Sequence, residues 1–422
     1  MIVFKFGGAS VKDAAGVRNV ATIVSSHLAE MPFIVISAMG KVTNALEEIC
    51  NAYVQKSGDC SLLIEKLKSF HFSIAHELLP QNHPVFDDLE NIFAELYWAV
   101  EEEQIKSYDY EYDQIVSAGE MLSTRIVSAY LNHIGISVVW QDARDLIRTD
   151  ETFREGQVDW NFTSNKIQQI FNDIQDKNPG ACVLTQGFIG GTSDNFTTTL
   201  GREGSDYSAA IFAYCLNAEE VIIWKDVPGV LNADPKVFQE AVLLEEISYY
   251  DAIELAFFGA TVIHPKTLKP LQNKNIPLRV KSFLHPELAG TLIGRDNYKN
   301  TIPTFIFKKN QVLLSISPRD FSFIIEENLR DIFEELASRR IKVNLMQNSA
   351  LKFSICVNTD NGKLPELIEV LSLRYKILYN DGCELVTIRN YSDELAKKLS
   401  ENRKILVEQK SRNTLQMIIS SN

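Results

Sequence analysis

The sequence predicts an α/β protein with a largely parallel central sheet, followed by two small α+β units. Three observations support this fold class. Short β-branched runs alternate with longer amphipathic segments up to about residue 295, the rhythm changes beyond residue 300, and 422 residues exceed what one hydrophobic core usually supports. We therefore expect a first domain over 1–295 and a second region over 301–422.

The first domain shows six clear strands, each of which ends in residues that do not continue a strand. They cover 2–6, 33–37, 137–140, 182–186, 220–224 and 276–281. Four of them are followed by Gly7-Gly8, by 37–40, by Gly187 and by Lys225-Asp226. Because ligands of parallel sheets bind outside the carboxyl ends of the strands, these four ends are expected to converge on one site.

A different pattern covers residues of about 45–110, where apolar positions recur every three or four residues. This spacing predicts a helical insertion. His71, His76 and His83 lie in it without a framework of carboxylates or cysteines. We therefore interpret them as core or solvated histidines and predict no metal ligands.

The second region is predicted to contain a βαββαβ unit of the ferredoxin-like type. Its elements are a strand at 312–317, a helix at 326–339, strands at 341–346 and 351–358, a helix at 363–372 and a strand at 375–380. A shorter second round follows at 384–390, 393–400, 404–410 and 414–419. A shortened unit leaves an open sheet edge, so we expect a homodimer through this region.

Composition excludes several function classes. The net charge of −13 argues against nucleic-acid binding and against a basic membrane-surface patch. The six cysteines form no CxxC pair, which fits a reducing compartment. With neither a signal-peptide pattern nor a membrane-length apolar run, the prediction is a cytoplasmic protein.

The stretch 197–210 combines hydroxyls, two glycines, an arginine and an acid before it turns apolar at helical spacing. It predicts a binding loop that leads into a helix, capped by Ser205 or Asp206, where backbone N–H groups favour an anion. Arg202 offers a planar fork for a carboxylate or a phosphate. The alternative interpretation is a surface loop that only caps the helix.

The first strand ends in Lys5-Phe6-Gly7-Gly8, which suits a phosphate because glycine lets backbone N–H groups approach and lysine adds a point charge. The spacing matches neither the P-loop nor the GxGxxG dinucleotide motif.

Five segments in order carry a family resemblance: KFGGAS (5–10), SAMGKVTN (37–44), VSAGEMLST (116–124), TQGFIG (185–190) and TTTLGREGSDYSAA (197–210). Together they resemble the aspartate kinases of the amino-acid kinase superfamily. The resemblance implies an amino-acid kinase fold over 1–295 with tandem ACT domains over 301–422, the second shortened. It also implies transfer of a phosphoryl group from MgATP to the side chain of L-aspartate, giving 4-phospho-L-aspartate. This is the first step towards lysine, threonine and methionine.

The same resemblance implies a role for individual residues. Lys5 would stabilise the transition state, Gly7 and Gly8 would contact phosphate, and Asp206 would orient the catalytic lysines. Substrate aspartate would be held by Ser37, Thr43, Glu120, Arg202 and Ser205. The nucleotide would lie against Lys225, Asp226, Leu231, Lys236, Thr261 and Val262, with Mg²⁺ held mainly by its phosphates and no metal ligand from the protein.

Three departures from the family pattern stand out. Thr261 occupies a turn where many members carry lysine, whereas Lys225 replaces a small polar residue. Glu203 stands where glycine is usual, and the loop 317–328 lacks the glycine expected at an effector site. We therefore predict that Lys225 supplies the catalytic charge missing at position 261. The alternative is that Lys225 points to solvent and only caps its strand.

Other interpretations remain open at this stage. Glu120 fits a helix-start acid, Thr43 an N-cap and Lys236 a solvated loop lysine. For the whole chain, the alternatives are a kinase for another amino-acid carboxylate and a non-catalytic amino-acid sensor of the ACT type.

Overall fold

The computed structural model describes residues 1–102, 106–260, 263–295, 301–320, 322–359, 362–401 and 403–420, apart from the side chain of Lys398. These residues form two compact units. Unit 1 contains Met1–Val230, Leu243–Ile253 and the described part of 261–299, and unit 2 contains Leu231–Val242, Glu254–Ala260 and the described residues beyond 300.

Unit 1 contains an eight-stranded sheet and a two-stranded ribbon. The strands are β1 (Ile2–Phe6), β2 (Phe33–Ile36), β3 (Val138–Gln141), β4 (Cys182–Gln186), β5 (Ile189–Gly191), β6 (Thr197–Thr199), β7 (Glu220–Lys225), β8 (Glu246–Ser248), β9 (Leu278–Ser282) and β10 (Thr291–Gly294). The helices are α1 (Ala14–Ser25), α2 (Val42–Val54), α3 (Cys60–Leu78), α4 (Val85–Glu101), α5 (Tyr108–Val116), α6 (Ala118–His133), α7 (Ala143–Leu146), α8 (Trp160–Lys177), α9 (Gly204–Leu216), α10 (Tyr249–Phe258) and α11 (Pro265–Lys274). The last residues of α10 belong to unit 2.

The large sheet has the strand order β3-β4-β2-β1-β7-β9-β10-β8. From β3 to β9 all neighbouring strands are parallel, and β10 turns antiparallel to β9. The ribbon pairs β5 with β6. The predicted α/β fold class and all six predicted strands are confirmed, with ends shifted by at most two residues.

Both faces of the sheet are covered by helices, so the central strands β1, β2 and β4 are buried along their whole length. On β1, Ile2, Phe4 and Phe6 face one side and belong to the core that includes α1 and α6. Val3 and Lys5 alternate with them and face the other side. There α9 packs against β1, β2 and β7, with α8 and α11 beside it.

The predicted helical insertion consists of α2, α3, α4 and α5, which share one apolar core with α1 and α6. Within it His71 is fully buried, and burial lowers its pKa to about 4. His76 stacks on Phe86 at the surface. The described residues hold no group of three His, Cys, Asp or Glu side chains suited to a metal ion.

Unit 2 is an antiparallel six-stranded sheet with the order β12-β13-β11-β14-β16-β15. Its strands are β11 (Thr304–Pro318), β12 (Val343–Asn348), β13 (Phe353–Asn358), β14 (Tyr375–Arg389), β15 (Lys404–Lys410) and β16 (Thr414–Ser420). Its helices are α12 (Glu326–Ser338), α13 (Lys363–Ser372) and α14 (Asp393–Ser400). The ferredoxin-like elements predicted for the first round are confirmed.

The shorter second round gains a further strand from an earlier part of the chain, which the sequence analysis did not predict. The predicted strands 375–380 and 384–390 are one long strand, β14, and β11 begins at Thr304, eight residues before the predicted start. The first part of β11 pairs with the last part of β14, from Thr304 opposite Arg389 to Lys308 opposite Leu385. A register shift after Lys308 separates the two halves of the sheet, so β11 contributes one strand to each α+β unit.

The two edges of this sheet also approach each other. The side-chain amide of Gln409 on β15 donates to the carbonyl oxygen of Met346 on β12, at 2.6 Å. Leu345, Cys356 and Val407 belong to one buried cluster on the face opposite the helices. In the described residues β12 and β15 are still the two edge strands of the sheet, with no backbone ladder between them, and the homodimer stays a prediction.

The predicted boundary at 295/301 also needs a correction, because 231–242 and 254–260 belong to unit 2. Ala233 lies in one apolar cluster with Phe305, and Phe238 stacks on Phe305. The Phe305 N–H donates to the carbonyl of Asn232 at 2.7 Å. Apolar contacts and a backbone hydrogen bond therefore hold residues 231–242 in unit 2, although the sequence order places them within the predicted first domain.

Among the described residues, no helix combines the length and apolar character needed to cross a membrane.

Candidate active site

The register of the parallel strands brings the predicted strand ends to one edge. Phe6 pairs with Ile36 and with Trp224, and Ile36 pairs with Gln186. The next residue of each strand is Gly7, Ser37, Lys225 or Gly187, respectively. Four separate segments of the sequence therefore meet in one row at the carboxyl edge of the sheet.

The turns after β1 and β2 pack backbone against backbone. The Gly40 N–H donates to the carbonyl of Gly8 at 2.9 Å, and a Cβ atom on Gly8 would lie 2.7 Å from the carbonyl oxygen of Ala38. On the next strand end, a Cβ atom on Gly187 would lie 2.6 Å from that of Ser205. A Cβ atom would clash at both positions, so only glycine fits these contacts.

A buried charge centre lies at this edge. The Lys5 ammonium is 2.6 Å from Oδ1 of Asp206, and the Lys225 ammonium is 3.1 Å from Oδ2 of the same carboxylate. The Asp206 side chain is 0% exposed. Burial alone would raise its pKa, but the two ammonium groups outweigh burial and lower the pKa of Asp206 to about 2. Asp206 therefore stays an anion and fixes two cations side by side.

Each member of this centre comes from a different element. Lys5 lies on the face of β1 that is covered by α9, Asp206 lies in the first turn of α9, and Lys225 ends β7. The prediction that Ser205 or Asp206 caps α9 is wrong. The N-cap is Glu203, whose backbone is left-handed at φ 54° and whose side chain makes no capping bond.

Lys225 does not point to solvent, so the alternative interpretation of this residue is wrong. Its side chain is 18% exposed and is directed at Asp206. Burial lowers the pKa of Lys225, but the carboxylates of Asp206 and Glu203 outweigh burial and raise it above its ordinary value. Asp226, the acid next to Lys225 in the sequence, is exposed, whereas Asp206 contacts the Lys225 ammonium group as the resemblance implied.

Glu120 forms a second buried feature. It lies in the first turn of α6, is 2% exposed, and accepts the Ala38 N–H on Oε1 at 3.3 Å. Among the described residues, Oε2 has no hydrogen-bond partner. Burial raises the pKa of Glu120 to about 8, although the Ala38 N–H opposes the rise. A buried acceptor without a donor suits a ligand that brings an ammonium group.

The loop before α9 carries Arg202 at the surface. Within the described part of the chain, Arg202 forms no ion pair. The preceding residue, Gly201, is left-handed at φ 79°, and the Lys266 ammonium donates to the carbonyl of Leu200 at 2.9 Å. The Arg202 guanidinium group is therefore exposed, while Lys266 holds the start of its loop at Leu200.

Two residues that hold this loop were missed by the sequence analysis. Lys266 is one, and Asp113 is the other: its carboxylate accepts the N–H and hydroxyl of Thr199, at 2.9 and 2.7 Å, and the Arg154 N–H at 2.8 Å. Asp113 lies in a run rich in acids and tyrosines, so the sequence held no signal to single it out. Lys266 is the second residue of α11, where a single lysine gives no sequence signal of a contact with the distant carbonyl of Leu200.

The remaining predicted residues are placed as follows. Thr43 is half-buried in the first turn of α2, and Lys41 rather than Thr43 is the N-cap. Leu231 and Lys236 belong to unit 2, where Lys236 is exposed. Thr261 and Val262 lie outside the described residues.

Comparisons with known proteins show the family of the chain. The model of the Amino acid kinase family matches residues 1–282. Lysine-sensitive aspartokinase 3 of Escherichia coli is 30% identical over 399 residues, which cover 92% of this chain and 86% of that protein. The chain belongs to the aspartokinases.

Further relatives extend the match. Aspartokinase 1, chloroplastic, of Arabidopsis thaliana is 33% identical over 87% of this chain, which spans 65% of that relative's length. The crystal structure of E. coli aspartokinase III in complex with aspartate and ADP superposes with a TM-score of 0.83 at 27% identity, covering 100% of this chain and 96% of that one. The structure of the same enzyme in complex with lysine and aspartate superposes with a TM-score of 0.82.

The unpartnered oxygen of Glu120 generates a pH prediction. Below about pH 8 the free enzyme carries a neutral Glu120, so binding of an ammonium group must release its proton. The KM for an amino-acid substrate should therefore fall by up to about tenfold per unit as pH rises from 6.5 to 8, and level off above that. Steady-state kinetics across this pH range measure the slope.

Glu120→Gln should remove this slope and raise the KM at pH 8.5 by about tenfold or more. Glu48→Gln, which changes an exposed carboxylate on the neighbouring α2, is the matched control and should keep the wild-type profile. A wild-type slope in Glu120→Gln would show that another group is responsible.

Proposed function

We propose that this aspartokinase transfers the γ-phosphoryl group of ATP to the side-chain carboxylate of L-aspartate, forming 4-phospho-L-aspartate, the first step towards lysine, threonine and methionine. The observation that carries the proposal is the buried Lys5–Asp206–Lys225 centre beside the glycine turns. It presents two ammonium groups at the edge where the glycine turns after β1 and β2 meet. We predict that the enzyme acts in the cytoplasm.

The chemistry needs no general base, because a carboxylate is already nucleophilic at neutral pH. Catalysis then depends on holding two anionic reactants together and neutralising the transferring phosphoryl group. In this proposal Lys5 and Lys225 contact phosphoryl oxygens, Gly7 and Gly8 line the phosphates, and Asp206 orients both lysines. Its depressed pKa argues against a role as a base.

Magnesium enters with the nucleotide in this proposal. The nearest protein carboxylates, Asp206 and Glu203, both lie beside Lys225, and no three-residue cluster of metal-ligand side chains occurs in the described chain. That donor set is unsuited to a metal site formed by the protein alone. Phosphate oxygens would hold Mg²⁺, which would supply further charge neutralisation.

The acceptor is proposed to be held at both of its ends. The α-ammonium group would pair with Oε2 of Glu120, and a carboxylate would meet the Arg202 guanidinium in a bidentate contact. Ser37, Thr43 and Ser205 would supply hydroxyls around it. For the nucleotide, Asp226, Leu231, Lys236, Thr261 and Val262 remain predicted contacts.

Regulation by an end product is part of the proposal. Lysine is the first effector to test, because a solved relative with a TM-score of 0.82 is the lysine complex of E. coli aspartokinase III. Unit 2, with its two α+β halves, would carry the effector site. The oligomer proposed for the chain is a homodimer through the same region.

A coupled ADP-release assay with L-aspartate, L-glutamate or no acceptor tests the proposed function. We expect turnover that depends on L-aspartate and is at least about a hundredfold lower with L-glutamate. Turnover with L-glutamate instead would indicate another carboxylate kinase, and absence of turnover with any acceptor would indicate an amino-acid sensor.

Arg202→Lys should raise the KM for aspartate far more than that for ATP, because lysine lacks the bidentate fork.

The catalytic role of Lys225 is tested by substitution. Removing one preorganised transition-state contact costs about 10²–10³ in kcat, so Lys225→Thr should fall in this range. Lys225→Arg, which keeps the charge beside Asp206, should lose less. If Lys225→Thr retains the wild-type kcat and the wild-type KM for ATP, the lysine is only a structural partner of Asp206.

A further inference from the structure

Glu203 occupies an unusual position at the edge of the charge centre. It is the N-cap of α9 and adopts φ 54° and ψ 28°, a left-handed conformation that is unfavourable for a residue with a Cβ atom. Its side chain makes no capping hydrogen bond to the helix. Helix capping therefore does not account for the glutamate at this strained position.

The carboxylate of Glu203 faces the charge centre instead. Its Oε2 lies 3.9 Å from the Lys225 ammonium, whose closer partner is Asp206 at 3.1 Å. Lys5 on β1, Asp206 on α9 and Lys225 on β7 are the charged groups that face Glu203. Two ammonium groups thus meet two carboxylates, and the formal charge of the four side chains sums to zero.

The carboxylates of Asp206 and Glu203 differ in how easily a phosphate could displace them from the lysines. Asp206 is fully buried between both lysines, so its removal would leave two buried cations without a counter-ion. Glu203 is 33% exposed and touches only one of them at the outer limit of an ion pair. A nucleotide phosphate that approaches Lys225 would meet the negative charge of Glu203 first.

We propose that Glu203 is an internal counter-ion of the phosphate subsite, which pairs with Lys225 in the free enzyme and takes up a proton when a nucleotide phosphate takes its place. Glu203 is thus a positioning residue: it acts through Lys225 and sets nucleotide affinity and its pH dependence. The inference rests on the proposed function in one respect, that Lys225 contacts nucleotide phosphate.

The electrostatic surroundings favour this exchange. Burial raises the pKa of the Glu203 carboxyl above its ordinary value, Lys225 counteracts the rise, and the Asp206 carboxylate adds to it. A phosphate group that displaces Glu203 from Lys225 removes the attraction that opposes protonation and adds further negative charge. The proton affinity of Glu203 must therefore be higher in the nucleotide complex than in the free enzyme.

Calorimetric titration of the full chain with a non-hydrolysable ATP analogue and magnesium tests the inference without catalysis. Titrations at pH 6.5 and pH 8 in buffers of different ionisation enthalpy report the number of protons taken up. For the wild-type chain we expect net proton uptake and tighter binding at pH 6.5 than at pH 8. Glu203→Gln should bind roughly tenfold more tightly at pH 8 and lose the proton uptake.

Two further variants complete the design. Glu203→Gly removes the same charge and relieves the left-handed backbone, so it should reproduce the tighter binding even if Glu203→Gln folds poorly. Glu155→Gln is the matched control. Glu155 is an exposed carboxylate beside the loop that carries Glu203, since its Cγ lies 3.3 Å from the position that a Cβ atom on Gly201 would occupy. It should leave affinity and proton uptake unchanged.

The outcomes separate this inference from the proposed function. Unchanged proton uptake in Glu203→Gln, or weaker binding in both Glu203 variants, would overturn the counter-ion role. In the second case Glu203 would instead help to bind the nucleotide and its cation. If Lys225→Thr binds the analogue as the wild type does, the phosphate contact of Lys225 fails, and with it the premise taken from the proposed function.

Discussion

The structure of the site depends on one buried interaction, the Asp206 carboxylate between the ammonium groups of Lys5 and Lys225. An isolated charge at this depth is strongly unfavourable, so none of the three residues is stable there without the others. Breaking such a contact typically destabilises a protein by about 3–5 kcal/mol. This constraint requires β1, β7 and the first turn of α9 to meet, and that meeting defines the carboxyl edge at which the proposed reaction takes place.

Around this centre, the protein uses carboxyl groups in three electrostatic states. Asp206 is held ionised by two cations, and burial keeps Glu120 neutral below about pH 8. Glu203 lies between these extremes, partly exposed and beside one lysine. In this account, three carboxyl groups serve as a permanent anion, as an acceptor that ionises when an ammonium group arrives, and as an anion that phosphate displaces.

Much of this arrangement could be predicted from the sequence, because strand ends and glycine turns have local signals. The convergence of Gly7, Ser37, Gly187 and Lys225 follows from parallel strands alone. The pairing of Asp206 with Lys225 could be predicted only from the family resemblance, because Asp226 is adjacent to Lys225 in sequence whereas Asp206 becomes adjacent only after α9 packs on the sheet. For the same reason Asp113 was missed, since its three hydrogen bonds join segments far apart in the chain.

In unit 2 the sequence does not reveal pairing between segments that are far apart in the chain. The change of pattern between 295 and 301 predicts a boundary there and two contiguous α+β rounds. Strand β11 serves both halves of the sheet, and a segment around Phe238 joins the apolar cluster of Phe305. Pairing of this kind gives no signal in the sequence. Each strand shows only its own alternation of apolar and polar residues, which does not indicate the distant strand with which it pairs.

The ionisation state of Asp206 is the most direct measure of this account. Carbon-13 NMR of a chain labelled at the aspartate side-chain carboxyl, with Asp206→Asn for assignment, follows this group without a substrate. With a pKa of about 2, the Asp206 signal should stay constant from pH 4 to pH 8. A titration midpoint within that range would show that the two lysines do not hold Asp206 as an anion, and would contradict the central claim.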